Sequence, residues 1–229
     1  MDFAIKTVSE WIYGKPLYLD NLGLTSLPPL PEGLQELYCR SNQITQLPNN
    51  LPNTLRELWC ENNHLYTLPE TFPPNLHILH CDSNQLSVLP NSLPQNLQEL
   101  YCNNNQLSYI PANLPQTITL LSCNHNNLTY LPETLPSQLK WLYCNNNKIQ
   151  SLPQMIPNTL IELNCHTNQL SHLPENLPYG LLRIWFSKNN ISQLPNNLPI
   201  NIVSLNELNQ AIPLGNRPFI PIPYAPEYF

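Results

Sequence analysis

Cysteine is the residue type with the most chemistry to offer in this chain, and it recurs at a fixed interval. Seven cysteines stand at Cys39, Cys60, Cys81, Cys102, Cys123, Cys144 and Cys165, each 21 residues after the one before. Thiols support three chemistries, each with its own requirements. Disulfides need an oxidising compartment and, as a rule, an even count; here the count is odd, and the start lacks the basic and long apolar regions of a secretory leader. Zinc needs converging ligands at short spacings such as C-x-x-C, and none occurs. His80–Cys81 and Cys165–His166 are neighbours that alternate to opposite faces of a strand. A nucleophile needs an exposed thiolate beside a base. A cysteine repeated inside an apolar pattern reads instead as a small buried core residue. No metal, cofactor or catalytic residue is expected, and unpaired thiols fit a cytoplasmic chain.

The interval leads to the elements that carry it. Three residues after each cysteine comes an asparagine: Asn42, Asn63, Asn84, Asn105, Asn126, Asn147 and Asn168, with Asn189 in register after Phe186. The unit reads L-x-x-L-x-C-x-x-N-x-L-x-x-L-P-x-x-L-P-x-x, and full copies begin at Leu34, Leu55, Leu76, Leu97, Ile118, Leu139, Leu160 and Leu181. L-x-x-L-x-C ends in the alternation of a short strand with one buried face. Such a strand is unstable alone, so successive copies must stack as a parallel sheet, Leu on Leu and Cys on Cys. The asparagine amide is suited to bond backbone groups of its own turn and of the next rung. Two prolines four apart leave no room for a regular helix. The second half therefore runs extended, polyproline-like or as one short 3₁₀ turn. The expected fold is a curved repeat solenoid with little helix.

The repeat divides the chain. Residues 1–16 are expected to form an N-terminal helical cap, with Ala4, Val8 and Trp11/Ile12 at helical spacing over residues 2–12 and Gly14 as a stop. Residues 17–33 are a degenerate first repeat, residues 34–201 the eight full copies, and residues 202–229 a degenerate repeat followed by a proline-rich cap. That last segment reads as an extended apolar strap over the final rung. Its Pro218 and Pro221 also have the P-x-x-P spacing of a ligand for another domain. The repeat explains the composition: 43 Leu, 33 Asn and 26 Pro make up 102 of the 229 residues. No apolar run approaches the roughly 18 residues that span a bilayer, so membrane insertion is not expected.

The unit resembles the leucine-rich repeat, in the short L-P-x form of YopM-like bacterial effectors, among them ubiquitin ligases of Shigella and Salmonella. Asn-rich, Cys-containing repeats of amoebal giant viruses are also similar. The resemblance covers roughly residues 17–205 and implies a right-handed superhelix with strands on its concave side. It also makes pathogen–host interaction, in a host cytosol, a plausible setting. Two departures stand out. Cysteine occupies a position where those effectors usually carry Val or Leu. The ligases' C-terminal catalytic domain also has no room in these 229 residues.

Function must lie in what the frame leaves variable. The third and fifth positions of each copy face away from the core. The third reads Glu36, Glu57, Ile78, Glu99, Leu120, Trp141, Glu162, Arg183; the fifth reads Tyr38, Trp59, His80, Tyr101, Ser122, Tyr143, Asn164, Trp185. Aromatics favour strands through propensity and cross-strand packing alone. Exposed Ile78, Leu120 and Trp141 point beyond that, to a binding face. The expected partner-binding residues are Glu36, Tyr38, Glu57, Trp59, Ile78, His80, Glu99, Tyr101, Leu120, Trp141, Tyr143 and Trp185. No Lys or Arg lies between Glu57 and Gln138, so Glu36, Glu57, Glu61, Asp82 and Glu99 are expected to form an acidic wall. It either keeps the array soluble or steers a basic partner. Nucleic acid is not expected, because phosphate binding needs a basic stripe. The sequence reads as a non-enzymatic scaffold for a protein or peptide. The alternative is the substrate-recognition module of a ubiquitin-ligase-type effector or adaptor.

Overall fold

A computed structural model describes residues 2–199, 202 and 204–206 of the chain. Its frame is a single ten-stranded parallel sheet in sequence order. The strands are β1 (Leu17–Tyr18), β2 (Glu36–Tyr38), β3 (Glu57–Trp59), β4 (Ile78–His80), β5 (Glu99–Tyr101), β6 (Leu120–Ser122), β7 (Trp141–Tyr143), β8 (Glu162–Asn164), β9 (Arg183–Trp185) and β10 (Ser204–Asn206). From β2 to β9 each residue pairs with its equivalent 21 positions on, as in Leu37↔Leu58 and Leu58↔Leu79. The broken copy near Ile202 still contributes β10, paired to β9. The proline-rich cap that follows the degenerate repeat, with Pro218 and Pro221, lies outside the described residues.

Each rung buries the same set. The strand Leu and the following Cys are fully buried from Leu37 and Cys39 to Leu163 and Cys165. The second half of the repeat closes the core from behind with Leu47 and Leu51, Leu68, Leu89 and Leu93, and their equivalents. No helix follows α1 (Asp2–Ser9) among the described residues. The second proline of each copy opens a turn: its carbonyl accepts the N–H of the next copy's first residue, as in Leu55 N–H to Pro52 O at 2.9 Å and Leu97 N–H to Pro94 O at 3.0 Å. Proline thus suppresses helix and still supplies an acceptor.

The asparagine of each copy ties its rung to the preceding one. Asn105 Nδ2 donates to the carbonyls of Cys81, Cys102 and Asn103, and its Oδ1 accepts Leu86 N–H at 2.9 Å. Asn63, Asn84, Asn126, Asn147, Asn168 and Asn189 repeat the arrangement. The expectation of a bond to the next rung is corrected here, because the carboxamide reaches backwards. The αL turn sits just before it, at the eighth position. Asn21, Ser41, Asn62, Ser83, Asn104, His125, Asn146, Thr167 and Lys188 all have φ between 50° and 58°. Asparagine tolerates that conformation better than most residues.

A second polar ladder runs one residue past the cysteines. Asp82 Oδ1 accepts Asn103 N–H at 2.6 Å, Asn103 Oδ1 accepts Asn124 N–H at 2.7 Å, and Asn124 Oδ1 accepts Asn145 N–H at 2.9 Å. All four side chains are buried. The triplets Asn103–Asn105 and Asn145–Asn147 therefore divide three jobs: a strand-end ladder, a left-handed turn and the main ladder.

The expected helix over residues 2–12 ends earlier, at Ser9. Ala4, Val8 and Trp11 pack on the first rung, and the Trp11 indole donates to Lys15 O at 2.7 Å, which turns the chain away from the helix axis. Ile12 is left 67% exposed.

Replacing Asn105 with Ala strands several buried carbonyls and one N–H, so it should cost about 2–4 kcal/mol. Leu100→Ala should cost a similar amount through cavity formation. Urea unfolding of both variants checks this; unchanged stability in Asn105→Ala would sink the ladder account.

Candidate functional site

The candidate site is the outward face of the sheet, built from the third and fifth positions. The strand pleat lifts these side chains off the core, and parallel pairing lines them up into two rows. Most are half-buried, with the pattern of partly exposed, buried, partly exposed along β2 to β5, β7 and β8. All twelve expected residues lie on this one face, Glu36 and Tyr38 at one end and Trp185 near the other.

The fifth-position row is a stack of rings. Centroid distances are 4.9 Å for Tyr18–Tyr38, 5.7 Å for Tyr38–Trp59, 4.8 Å for Trp59–His80 and 4.7 Å for His80–Tyr101. Tyr18–Tyr38 and Tyr38–Trp59 are near parallel, so these rings cover one another's faces and turn edges outward. Their polar tips lean on the third-position acids. Tyr38 Oη donates to Glu36 at 3.4 Å, Trp59 Nε1 to Glu57 at 3.1 Å, Tyr101 Oη to Glu99 at 2.9 Å and Tyr143 Oη to Glu162 at 3.0 Å. Burial, then the charges of Glu57 and Glu36, pushes the Tyr38 phenol up to about 12. Burial also raises Tyr101 and Tyr143, reinforced by Glu99 and Glu162 respectively. All three are neutral donors at physiological pH. The row breaks at Ser122, which is buried and bonded to Asn103.

The expected acidic wall of five divides into two groups. Asp82 is buried, held by Asn103 and by His80 Nε2 at 2.8 Å. Glu61 is nearly covered, 3.7 Å from Arg40 Nε, while Arg40 itself is clamped on Asp20 at 2.9 Å. Both acids belong to a packed strand-end cluster: Asp82 is bonded to Asn103 of the next rung, and Glu61 lies between Arg40 and His80 of the rungs on either side. Glu36, Glu57 and Glu99 remain on the open face with no cation paired to them among the described residues. Within the cluster, Glu61 Oε2 and His80 Nδ1 are buried 3.8 Å apart without a hydrogen bond. Burial raises the Glu61 carboxyl, outweighing the nearby His80 and Arg40 charges.

The thiols are buried in the core behind this face. From Cys39 to Cys123 the buried Sγ donates weakly to the fifth-position carbonyl of the next rung, as in Cys81 to Tyr101 O at 3.2 Å and Cys102 to Ser122 O at 3.3 Å. Burial pushes every cysteine up, Cys144 to about 12. No group of His, Cys, Asp and Glu fit to hold a metal occurs among the described residues.

Comparison with known proteins follows from this geometry. The sequence model of the Leucine Rich Repeat family matches residues 96–116. No curated protein sequence matches the chain. Among solved structures it is similar to YopM from Yersinia enterocolitica WA-314, at 34% identity and TM-score 0.72, over 90% of this chain and 50% of that one. It is similar to the leucine-rich effector YopM from Yersinia pestis, at 30% identity and TM-score 0.59, over 90% of this chain and 69% of that one. The leucine-rich repeat domain of a Shigella effector matches at 31% identity and TM-score 0.63, over 83% of this chain and 77% of that one. The chain spans half the length of the first of these.

Two experiments test the site's internal chemistry. A thiol reagent should leave the native chain unlabelled and titrate all seven cysteines in denaturant. The raised Glu61 carboxyl implies that its protonated form suits the fold. Its contribution is full below the ordinary carboxylate range and is lost as pH rises through the raised value. Glu61→Gln should therefore melt above the wild type at pH 7, with the gap closing toward about pH 4. A lower melting point at pH 7 would assign Glu61 a net favourable ion pair instead.

Proposed function

The chain belongs to the leucine-rich repeat family in its YopM-like form, and from that premise we propose that it is a non-enzymatic scaffold that binds a protein or peptide on its concave sheet face. One observation carries this reading. The packing frame recurs from rung to rung with few exchanges, such as Phe186 for Cys, whereas the outward rows hold side chains the frame does not need. Ile78, Leu120 and Trp141 are apolar groups on the side away from the core, and Trp59, Tyr143 and Trp185 stand beside them. Ten strands at about 4.8 Å apart make a face roughly 40 Å long, enough for a standard-size interface. Half-buried aromatics of this kind supply hot spots in interfaces. The partner is basic where it meets the first rungs, because Glu36, Glu57 and Glu99 present carboxylates without counterions there. Such a field raises the association rate more than the final affinity.

A second reading is favoured by the match to a domain of a Shigella effector. On it, the same face is the substrate-recognition half of a ubiquitin-ligase-type effector or adaptor, with catalysis supplied by another domain. Pathogen–host interaction in the host cytosol is the setting both readings share.

Trp59→Ala, Tyr101→Ala and Trp141→Ala should each fold, with at most about 1–2 kcal/mol lost from ring contacts, yet weaken a recovered partner tenfold or more. Exchanging Glu36, Glu57 and Glu99 for Gln should lower the association rate and largely abolish its salt dependence. Calorimetry and stopped-flow binding read the two effects. Unchanged affinity across the aromatic variants would place the interface elsewhere.

A further inference from the structure

We propose that Glu61 and His80 form a one-proton switch behind the ring row. A proton between Glu61 Oε2 and His80 Nδ1 keeps the row closed from Tyr38 to Tyr101. Without it, His80 leaves the row and uncovers the rings of Trp59 and Tyr101. What the switch does to a partner rests on the concave-face reading above; the switch itself does not.

Hydrogen bonding fixes where the protons stand. Asn103 Oδ1 accepts Asn124 N–H at 2.7 Å and the Ser122 hydroxyl at 2.8 Å, so its Nδ2 is the group that meets Asp82 Oδ2 at 2.9 Å. Asp82 Oδ1 takes Asn103 N–H as well, at 2.6 Å. Two N–H donors favour the ionised form of Asp82, which then accepts a third hydrogen from His80 Nε2 at 2.8 Å. That leaves Nδ1 as the ring nitrogen whose protonation varies. It faces Glu61 Oε2 at 3.8 Å, and both atoms are buried without a hydrogen-bond partner among the described residues. Two bare lone pairs held there repel each other and have lost their water. One proton on either atom removes the repulsion, as a carboxyl facing Nδ1 or as an imidazolium facing a carboxylate.

The surrounding groups set the direction of the switch. Arg40 Nε stands 3.7 Å from the other Glu61 oxygen, while its Nη2 is held by Asp20 at 2.9 Å. Asp82 adds a negative charge beside Glu61. Cys39, Cys60 and Cys81 lie behind as neutral thiols. Glu57 and Glu99 are turned to Trp59 Nε1 and the Tyr101 phenol, which is itself neutral. Burial outweighs His80 and Arg40 and raises the Glu61 carboxyl, so the pair keeps a proton above the ordinary carboxylate range. The closed row is therefore stable on the acid side and is lost as pH rises and the last proton leaves. Arg40 anchors Glu61, so the ring is the part that moves. Swinging its Nδ1 edge away from Glu61 breaks the ring contacts of His80 with Trp59 at 4.8 Å and Tyr101 at 4.7 Å.

The test uses the full chain labelled with ¹⁵N-histidine, with long-range ¹H–¹⁵N spectra to place ring hydrogens and NOEs from the His80 ring to follow the row. Neutral His80 should carry its hydrogen on Nε2, and its NOEs to Trp59 and Tyr101 should fall at least about threefold between about pH 5 and about pH 9. Glu61→Gln offers Nδ1 a permanent N–H and should keep the NOEs at both pH values. Asp82→Asn puts here the residue found at Asn103 and Asn124. It lets the ring hydrogen move to Nδ1, facing the Glu61 carboxylate, and should keep the NOEs too, which preserves the test if Glu61→Gln does not fold. A hydrogen on Nδ1 in the wild type, NOEs indifferent to pH, or the wild-type loss persisting in either variant overturns the switch. The switch and the concave reading fail separately. Ring NOEs indifferent to pH, with a partner that loses affinity for Trp59→Ala, overturn the switch and leave the face standing. NOEs lost with pH as predicted, with a partner indifferent to Trp59→Ala and Trp141→Ala, support the switch and overturn the face as the partner's interface.

Discussion

A rung with a three-residue strand leaves most of its backbone polar groups without a sheet partner, and those beside the core are buried all the same. Each such group left unpaired costs on the order of 1–3 kcal/mol. The carboxamide of the ladder asparagine meets this demand because it carries two donors and an acceptor on a short stem. Asn105 uses all of these, giving to carbonyls of its own and the preceding rung and taking Leu86 N–H. Aspartate lacks the donors, and glutamine is one carbon too long for the same turn. The hydrophobic stack of Leu37, Leu58, Leu79 and their equivalents supplies the driving force, but it can form only where this accounting closes.

The same constraint decides what remains free to evolve for binding. Core and ladder positions are committed in every rung. In the middle rungs the seventh position, whose Glu61 and Asp82 the sequence placed in the acidic wall, is committed as well: Asp82, Asn103 and Asn124 each accept the next rung's N–H. On the open face of the sheet, variation falls at the third and fifth positions. Even there the first half of the face is internally bonded, ring on ring and phenol on carboxylate. That half is pre-organised, which lowers the entropy lost on binding. The second half keeps Leu120, Trp141 and Trp185 without a ring stacked on them among the described residues.

Much of the fold was legible because the period is strict. Cysteine spacing alone locates every strand from β2 to β8, and the Leu-x-Cys alternation assigns its buried side. The two-row face followed from the same alternation. Other features were hidden for physical reasons. The asparagine ladder's direction depends on three-dimensional stacking, which a repeat unit written in one line does not encode. The second ladder was visible only as an unexplained excess of asparagine at 103–105 and 145–147. The recurrence of Asp or Asn at the seventh position and of Asn or Ser at the eighth was the available signal. Burial of Glu61 and Asp82 could not be read from charge patterning, since an acid paired by Arg40 or His80 looks the same in sequence as one facing solvent. Helix α1 ended early where Trp11 packs on the core and its indole bonds the Lys15 carbonyl in the following turn, contacts that apolar periodicity ignores.

The central claim is that side-chain amides hold the non-strand half of every rung as firmly as the sheet holds the other. Native-state hydrogen exchange tests it directly. The amides of Ile44, Leu65, Leu86, Leu107, Leu128, Ile149 and Leu170 each donate to a ladder asparagine. The account predicts that they exchange as slowly as the sheet-bonded amides of Cys60, Cys81 and Cys102. Exchange at the rate of exposed loops, with the strand amides still protected, would contradict it.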